Sequence, residues 1–173
     1  MRSSKLDRLD LRILEILQQD GRITNQKLAE QVNLSPSSCL QRVRRLEQEG
    51  VIGSYHAHLN LDRIARHIMC LATVSLKNHT QDEFNAFESL IKTIPEVVEC
   101  YTVSGESDFL LRVICPDMNR YVEINDQLVA DSSYQVTINS YVVMKENKAF
   151  SGVNLKTLRE VSNAADSQGV ARE

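Results

Sequence analysis

TNQKLAEQVNLSPSSCLQRVRRLEQEG, residues 24–50, reads as two short helices joined by a tight turn. Thr24 suits an N-cap, because its hydroxyl accepts a hydrogen bond from a free amide of the first turn. Leu28, Ala29 and Val32 then recur at helical spacing. Asn33 and Ser35 interrupt the period, and Pro36 stands where a first helical residue has no amide bond to lose. Cys39, Leu40, Val43 and Leu46 supply an apolar stripe, while the opposite face presents Ser37, Ser38, Gln41, Arg42 and Arg45. Such a helix suits the major groove of duplex DNA: arginine grips guanine with two bonds, glutamine matches adenine, and serine bonds base or phosphate. The competing reading is a solvated polar face, which many helix pairs carry.

The flanks favour DNA. Upstream, Leu6–Gln19 places Leu6, Leu9, Ile13, Leu14, Ile16 and Leu17 along one face, an amphipathic helix that Asp20-Gly21 ends. Asp7 and Asp10 lie near its start, where carboxylates complement the helix dipole. The result is a three-helix unit with a shared core. Downstream, Tyr55, Ala57 and Leu59 alternate with Ser54, His56 and His58, as in a short wing or exit strand. His56 and His58 share one side of it, but a metal site needs further ligands, so a solvated pair is expected and no metal. Residues 1–60 hold nine Lys and Arg against seven Asp and Glu, a balance of +2, which leaves −5 for the rest of a chain of net charge −3. The sign fits a DNA-facing front half and a rear half that faces something else.

With 173 residues, 42% of them hydrophobic, the chain can hold one large or two small domains. No run approaches a membrane span, and MRSSKLDRLD lacks the apolar core of a signal peptide. The cysteines at 39, 70, 100 and 115 show no CxxC spacing, so buried free thiols in a cytoplasmic protein are expected. After a connection at Asn60–His67 the period changes. Ile68–Lys77, Val97–Ser104, Phe109–Cys115 and Tyr134–Met144 read as strands, Asp82–Ile94 and Met118–Val129 as helices. The order β-α-β-β-α-β is that of a ferredoxin-like sheet with both helices on one face. Its other face needs cover, and a second copy is the natural partner. Gly105-Glu106-Ser107-Asp108 makes the central hairpin turn, in which glycine permits a positive φ and aspartate bonds its own backbone. Residues beyond about Ser151, ending SNAADSQGVARE, read as a frayed tail. Nothing pairs a nucleophile with a base or cradles a phosphate, so neither an enzyme nor a cofactor is expected.

Four stretches in this order resemble the Lrp/AsnC family of transcription regulators: LDRLDLRILEILQQDGRITN, LSPSSCLQRVRRLEQEGVI, VSGESDFLLRV and SYVVM. The similarity runs over Leu6–Lys148. It implies an α+β chain with a helix-turn-helix (winged-helix-like) domain at 1–53, a hinge strand and linker at 54–67, a ferredoxin-like βαββαβ domain for effector and assembly at 68–150, and a tail at 151–173. It implies Ser37, Ser38, Gln41, Arg42 and Arg45 as the DNA-reading face, with Thr24 and Asn25 near the DNA backbone. An effector cleft is implied at Gly105, Glu106, Ser107 and Asp108, between dimers, with Thr102, Met118, Tyr141, Val142 and Val143 close by. The implied effector is an amino acid, whose ammonium Asp108 would pair and whose carboxylate loop amides near Gly105 would bind. Homodimers assembling into octamers on double-stranded DNA complete the picture. The chain departs from the family at Ser38, often proline there, and in its basic connection Arg63, Arg66 and His67. A ligand-independent architectural, nucleoid-type protein is the alternative.

Overall fold

The computed structural model describes residues 6–130 and 135–158. It contains helices α1 (Arg8–Gln19), α2 (Asn25–Gln31) and α3 (Pro36–Gln48), then β1 (Ile68–Leu76), α4 (Gln81–Ile91), β2 (Val97–Thr102), β3 (Phe109–Cys115), α5 (Met118–Ala130) and β4 (Val136–Val142). A single 3-10 turn, Leu61–Arg63, lies in the connection. Two compact units result. One is the chain up to His58 together with the segment from Lys148 on, and the other is Leu59–Asn147.

In the first unit, Ile13, Ile16, Leu28, Ala29, Val32, Cys39 and Leu46 are buried together, with Leu14, Leu17 and Val43 packed around them. Each such side chain contributes about 1.5–3 kcal/mol when fully buried, enough to hold three short helices that would not persist alone. The helix ends are locally encoded. Asp7 caps α1 and exchanges bonds with Asp10 in a capping box. Thr24 caps α2, accepting from the Lys27 amide at 3.3 Å, and Ser35 caps α3, accepting from Ser38 at 3.2 Å. The turn between α2 and α3 is closed by Leu34 donating to Ala29 at 2.9 Å and Asn33 to Glu30 at 3.3 Å, with Asn33 at φ 55. α3 ends the same way: Val51 donates to Leu46 at 2.9 Å, Gly50 to Glu47 at 3.0 Å, and Gly50 sits at φ 70.

At two places one chain differs from the expectation. Residues 54–59 form no strand, and Tyr55 and Leu59 are exposed. The alternation is present, but a strand needs a hydrogen-bonded neighbour, and no other strand lies in this unit among the described residues. The expected tail is also not free where it is described. The Val153 amide donates to Gln18 Oε1 at 2.7 Å and its carbonyl accepts from Gln18 Nε2 at 3.2 Å, so residues 151–158 lie against α1. Residues 159–173 and Tyr134, the expected first residue of the last strand, lie outside the described residues.

The second unit is an antiparallel sheet in the order β2-β3-β1-β4. Cys70, Ala72, Val74 and Leu76 of β1 and Phe109, Leu111, Val113 and Cys115 of β3 point to one face. There they meet Phe87 and Ile91 of α4 and Tyr121, Ile124 and Leu128 of α5. Phe109 stacks at a tilt on Phe87 and Phe84, centroids 4.7 and 5.1 Å away. α4 ends three residues earlier than its apolar period suggests. Thr93 and Ile94 bond back three residues, to Leu90 and Ile91, which tightens the chain before Pro95. Three of the four thiols are buried, whereas Cys100 is only half-buried, because β2 is an edge strand.

Candidate nucleic-acid interface and ligand cleft

Helix α3 carries two rows besides its core. Cys39, Val43 and Leu46 face inward. Ser38, Arg42 and Arg45 follow one turn apart on the flank, and Ser37, Gln41 and Arg44 stand outermost. Ser38, Gln41, Arg42 and Arg45 line one shallow hollow with Leu34. Four of the expected DNA-facing residues therefore do converge, but two of them are already engaged. Arg42 donates from one nitrogen to Asp7 at 2.7 Å and to Asp10 at 2.8 Å, and its side chain is 25% exposed. Arg45 donates to Asp10 at 2.6 Å and is more open. The amide of Asp10 and the Arg42 guanidinium hold Asp7 below the usual carboxylate range, and the two carboxylates raise Arg42 in turn.

Ser37 and Ser38 are exposed, though their hydroxyls lie 3.1 and 2.9 Å from the Ser35 cap. Thr24 is spent on the α2 cap. Asn25 donates from Nδ2 to the Pro36 carbonyl at 2.8 Å and so ties the start of α2 to the start of α3. Gln41 and Arg44 remain exposed, and Arg44 makes no ion pair among the described residues. Reasoning from residue type passed over Arg44 and the partners of Arg42. The clue to the latter was Asp10, a carboxylate on the same stripe as Ile13 and Leu17, since a buried charge must be paired. Beyond α3, Tyr55 donates to Glu47 at 3.0 Å; partial burial and that carboxylate push its hydroxyl up to about 12. His56 lies 2.7 Å from the Ser54 hydroxyl. No group of three or more His, Cys, Asp or Glu is placed to hold a metal ion among the described residues.

In the second unit, the turn 103–108 is tied to β1. Asp108 donates its amide to Val74 O at 2.9 Å, accepts the Leu76 amide on Oδ2 at 2.7 Å, and meets His79 Nδ1 at 3.0 Å on Oδ1. Ser75 donates to the Glu106 carbonyl at 3.2 Å, and Ser107 is half-buried beside it. Gly105 has φ 132, a conformation that a side chain would strain, with open space around it. The carboxylate of Asp108, expected to bond its own turn, instead braces the hairpin against β1 and keeps a 15% exposed edge.

The nine residues expected at the cleft do not converge within one chain. Thr102 pairs with Phe109 beside the turn, at the Val74–Leu76 end of β1. Tyr141 and Val142 pair with Leu71 and Cys70, and Val143 donates to Met69, at the other end. Met118 follows Cys115, which pairs with Ile68, and belongs with that second group. The two groups stand roughly 15 Å apart along β1, given about 3.3 Å per strand residue. The register sets this distance, and the sheet order adds to it by putting Thr102 and Tyr141 on opposite edge strands.

No helix of this unit covers the other face of the sheet among the described residues. Met69, Leu71, Leu110 and Ile114 are half-buried there, with Tyr101 and Tyr141 exposed. Arg112 and Glu99 cross it as an ion pair of 2.9 Å. No helix among the described residues is long and apolar enough to cross a membrane.

Comparison with known proteins agrees with both units. The family described as winged helix-turn-helix DNA-binding matches residues 6–52, and the Lrp/AsnC ligand binding domain matches residues 69–153. A transcriptional regulatory protein of Halomonas elongata is 44% identical over 145 residues, 83% of this chain and 91% of that protein. The leucine-responsive regulatory protein of Escherichia coli is 38% identical over 152 residues, covering 88% and 93%. Among solved structures, a transcriptional regulator of Neisseria meningitidis in complex with L-methionine superposes with a TM-score of 0.82 at 32% identity, over 89% of this chain and 99% of that one. A feast or famine regulatory protein of Mycobacterium tuberculosis, also complexed with L-methionine, gives 0.78 at 25%, over 86% and 99%. The two units thus define a DNA-binding transcription regulator with a ligand-binding domain, not an enzyme. The chain belongs to the Lrp/AsnC family.

Proposed function

We propose that this regulator binds DNA sequence-specifically from the cytoplasm as a homodimer or higher assembly, and that a free amino acid modulates it. The observation that carries the DNA half is the polar outer row of α3 on a packed three-helix unit. Thr24 and Asn25 serve it by holding α2 and α3 at a fixed angle rather than by reaching far. Dimerisation is supported by the sheet face where Leu71, Leu110, Tyr101 and Tyr141 lack a covering layer among the described residues of their unit. Residues 54–59, alternating and unpaired, suit a hinge strand that gains its neighbour from a second copy. Further association to an octamer follows from the family resemblance.

The amino acid rests on the two relatives complexed with L-methionine and on Asp108, a carboxylate that an ammonium can share. Because the two residue groups lie at opposite ends of β1, a cleft using both draws each from a different copy. A thermal-shift screen of the twenty amino acids tests this reading. The effector should raise the melting temperature of the wild type, since it favours the native state, and Asp108→Ala should lose the shift while still binding DNA. No shift with any amino acid would leave the ligand-independent architectural reading. That reading draws its support from the same residue, whose two oxygens are both engaged inside the chain.

A further inference from the structure

The carboxylate of Asp10 is 1% exposed and receives three donors. Arg42 Nη1 reaches Oδ1 at 2.8 Å, Arg45 Nη2 reaches Oδ2 at 2.6 Å, and the Asp7 amide reaches Oδ2 at 3.0 Å. Asp7 adds a second hold on Arg42 at 2.7 Å. Guanidiniums from two successive turns of α3 therefore meet on one buried anion supplied by α1. Removing either side leaves an uncompensated charge out of water, which is far costlier than a lost surface pair. For Arg42 to grip a base it would have to leave both carboxylates. Arg44 and Gln41, on the row beyond, have no such tie to break.

Accepting α3 as the groove helix, we infer that Asp10 is a positioning residue: it holds Arg42 as a strut between α1 and α3 and aims Arg45, so that base reading passes to Ser37, Gln41 and Arg44. The strut fixes the roll of α3 about its own axis, and the roll decides which base edges the outer row meets.

Asp10→Asn in the full chain tests this, because the amide keeps the shape and loses the charge. The probes are a duplex enriched by the wild type from a random-sequence pool and a scrambled duplex of equal length, each over a salt series. The preference for the enriched duplex should fall about tenfold. Scrambled binding should hold or strengthen, and its log–log salt slope should steepen by about 1, as Arg45, freed from Asp10, reaches a phosphate while Asp7 keeps its hold on Arg42. A preference kept by the folded variant would overturn the strut. So would a parallel loss on both duplexes with an unchanged slope, which a merely structural role gives. Should Asp10→Asn not fold, Arg42→Gln decides. A strut lost blurs discrimination at several base pairs, whereas a reader lost blurs one, and the latter result overturns the proposal. A wild type without any duplex preference sinks the regulator reading and this one together; a preference that Asp10→Asn retains sinks only the strut.

Discussion

Asp7 takes three donors: as the cap of α1 it accepts the Leu9 amide at 2.8 Å and the Asp10 amide at 2.9 Å, and it pairs with Arg42. All three favour its charged form, which is why its carboxyl lies below the ordinary range. The linkage has a definite sign. A carboxylate whose folded pKa is depressed adds stability above its unfolded value, near 3.9, and that stability is lost as the pH falls through the folded value. Half the side chain faces water, so the increment is small. Urea melts between about pH 5 and pH 2 should show an acid loss of stability that Asp7→Asn makes shallower. An identical acid limb in the variant would mean the cap and the ion pair do not distinguish the charge states. Sequence alone placed Asp7 and Asp10 at a helix start, which local spacing reveals. It did not reveal that the arginines were their partners, because that contact spans more than thirty residues of chain.

Elements were legible where periodicity is strong and local. β3 begins and ends where its alternation does, and the three front helices appear with their caps. The misreadings are elements whose fate depends on a distant partner. The alternation of Ser54–Leu59 promises a strand, yet pairing decides, and one chain offers no neighbour. The segment after Ser151 looked free because nothing polar and small signals docking, yet Gln18 captures Val153 from 135 residues away. The α2–α3 turn shows the opposite case, a local device at work. Asn33 takes φ 55 so that its own amide and that of Leu34 can bond back to Glu30 and Ala29. Asparagine tolerates this conformation and a β-branched residue does not. Asn33→Val should therefore lower the stability of the front unit by about 1–2 kcal/mol, read from chemical melts. Unchanged melts would show that the turn relaxes without cost.

At the scale of the whole molecule, the residues expected at the cleft are divided within one chain. The turn 105–108 lies at one end of β1 and Tyr141–Val143 at the other, and register together with strand order keeps them apart within the domain. The resemblance implied one cleft for both groups without showing this division, since such a likeness carries no mark of which copy supplies each residue. The division makes a prediction that neither group alone would make. Asp108→Ala and Tyr141→Ala chains should each fail to respond to the amino acid. Co-refolded in equal amounts, they form mixed assemblies in which some clefts take Asp108 from one copy and Tyr141 from another, both intact. Random mixing then restores about a quarter of the clefts, since half of the copies keep Asp108 and half keep Tyr141. Calorimetric titration should recover that fraction with wild-type affinity. A mixture as silent as its components would show that each cleft is built from a single chain, and the sheet's two ends would have to be bridged some other way.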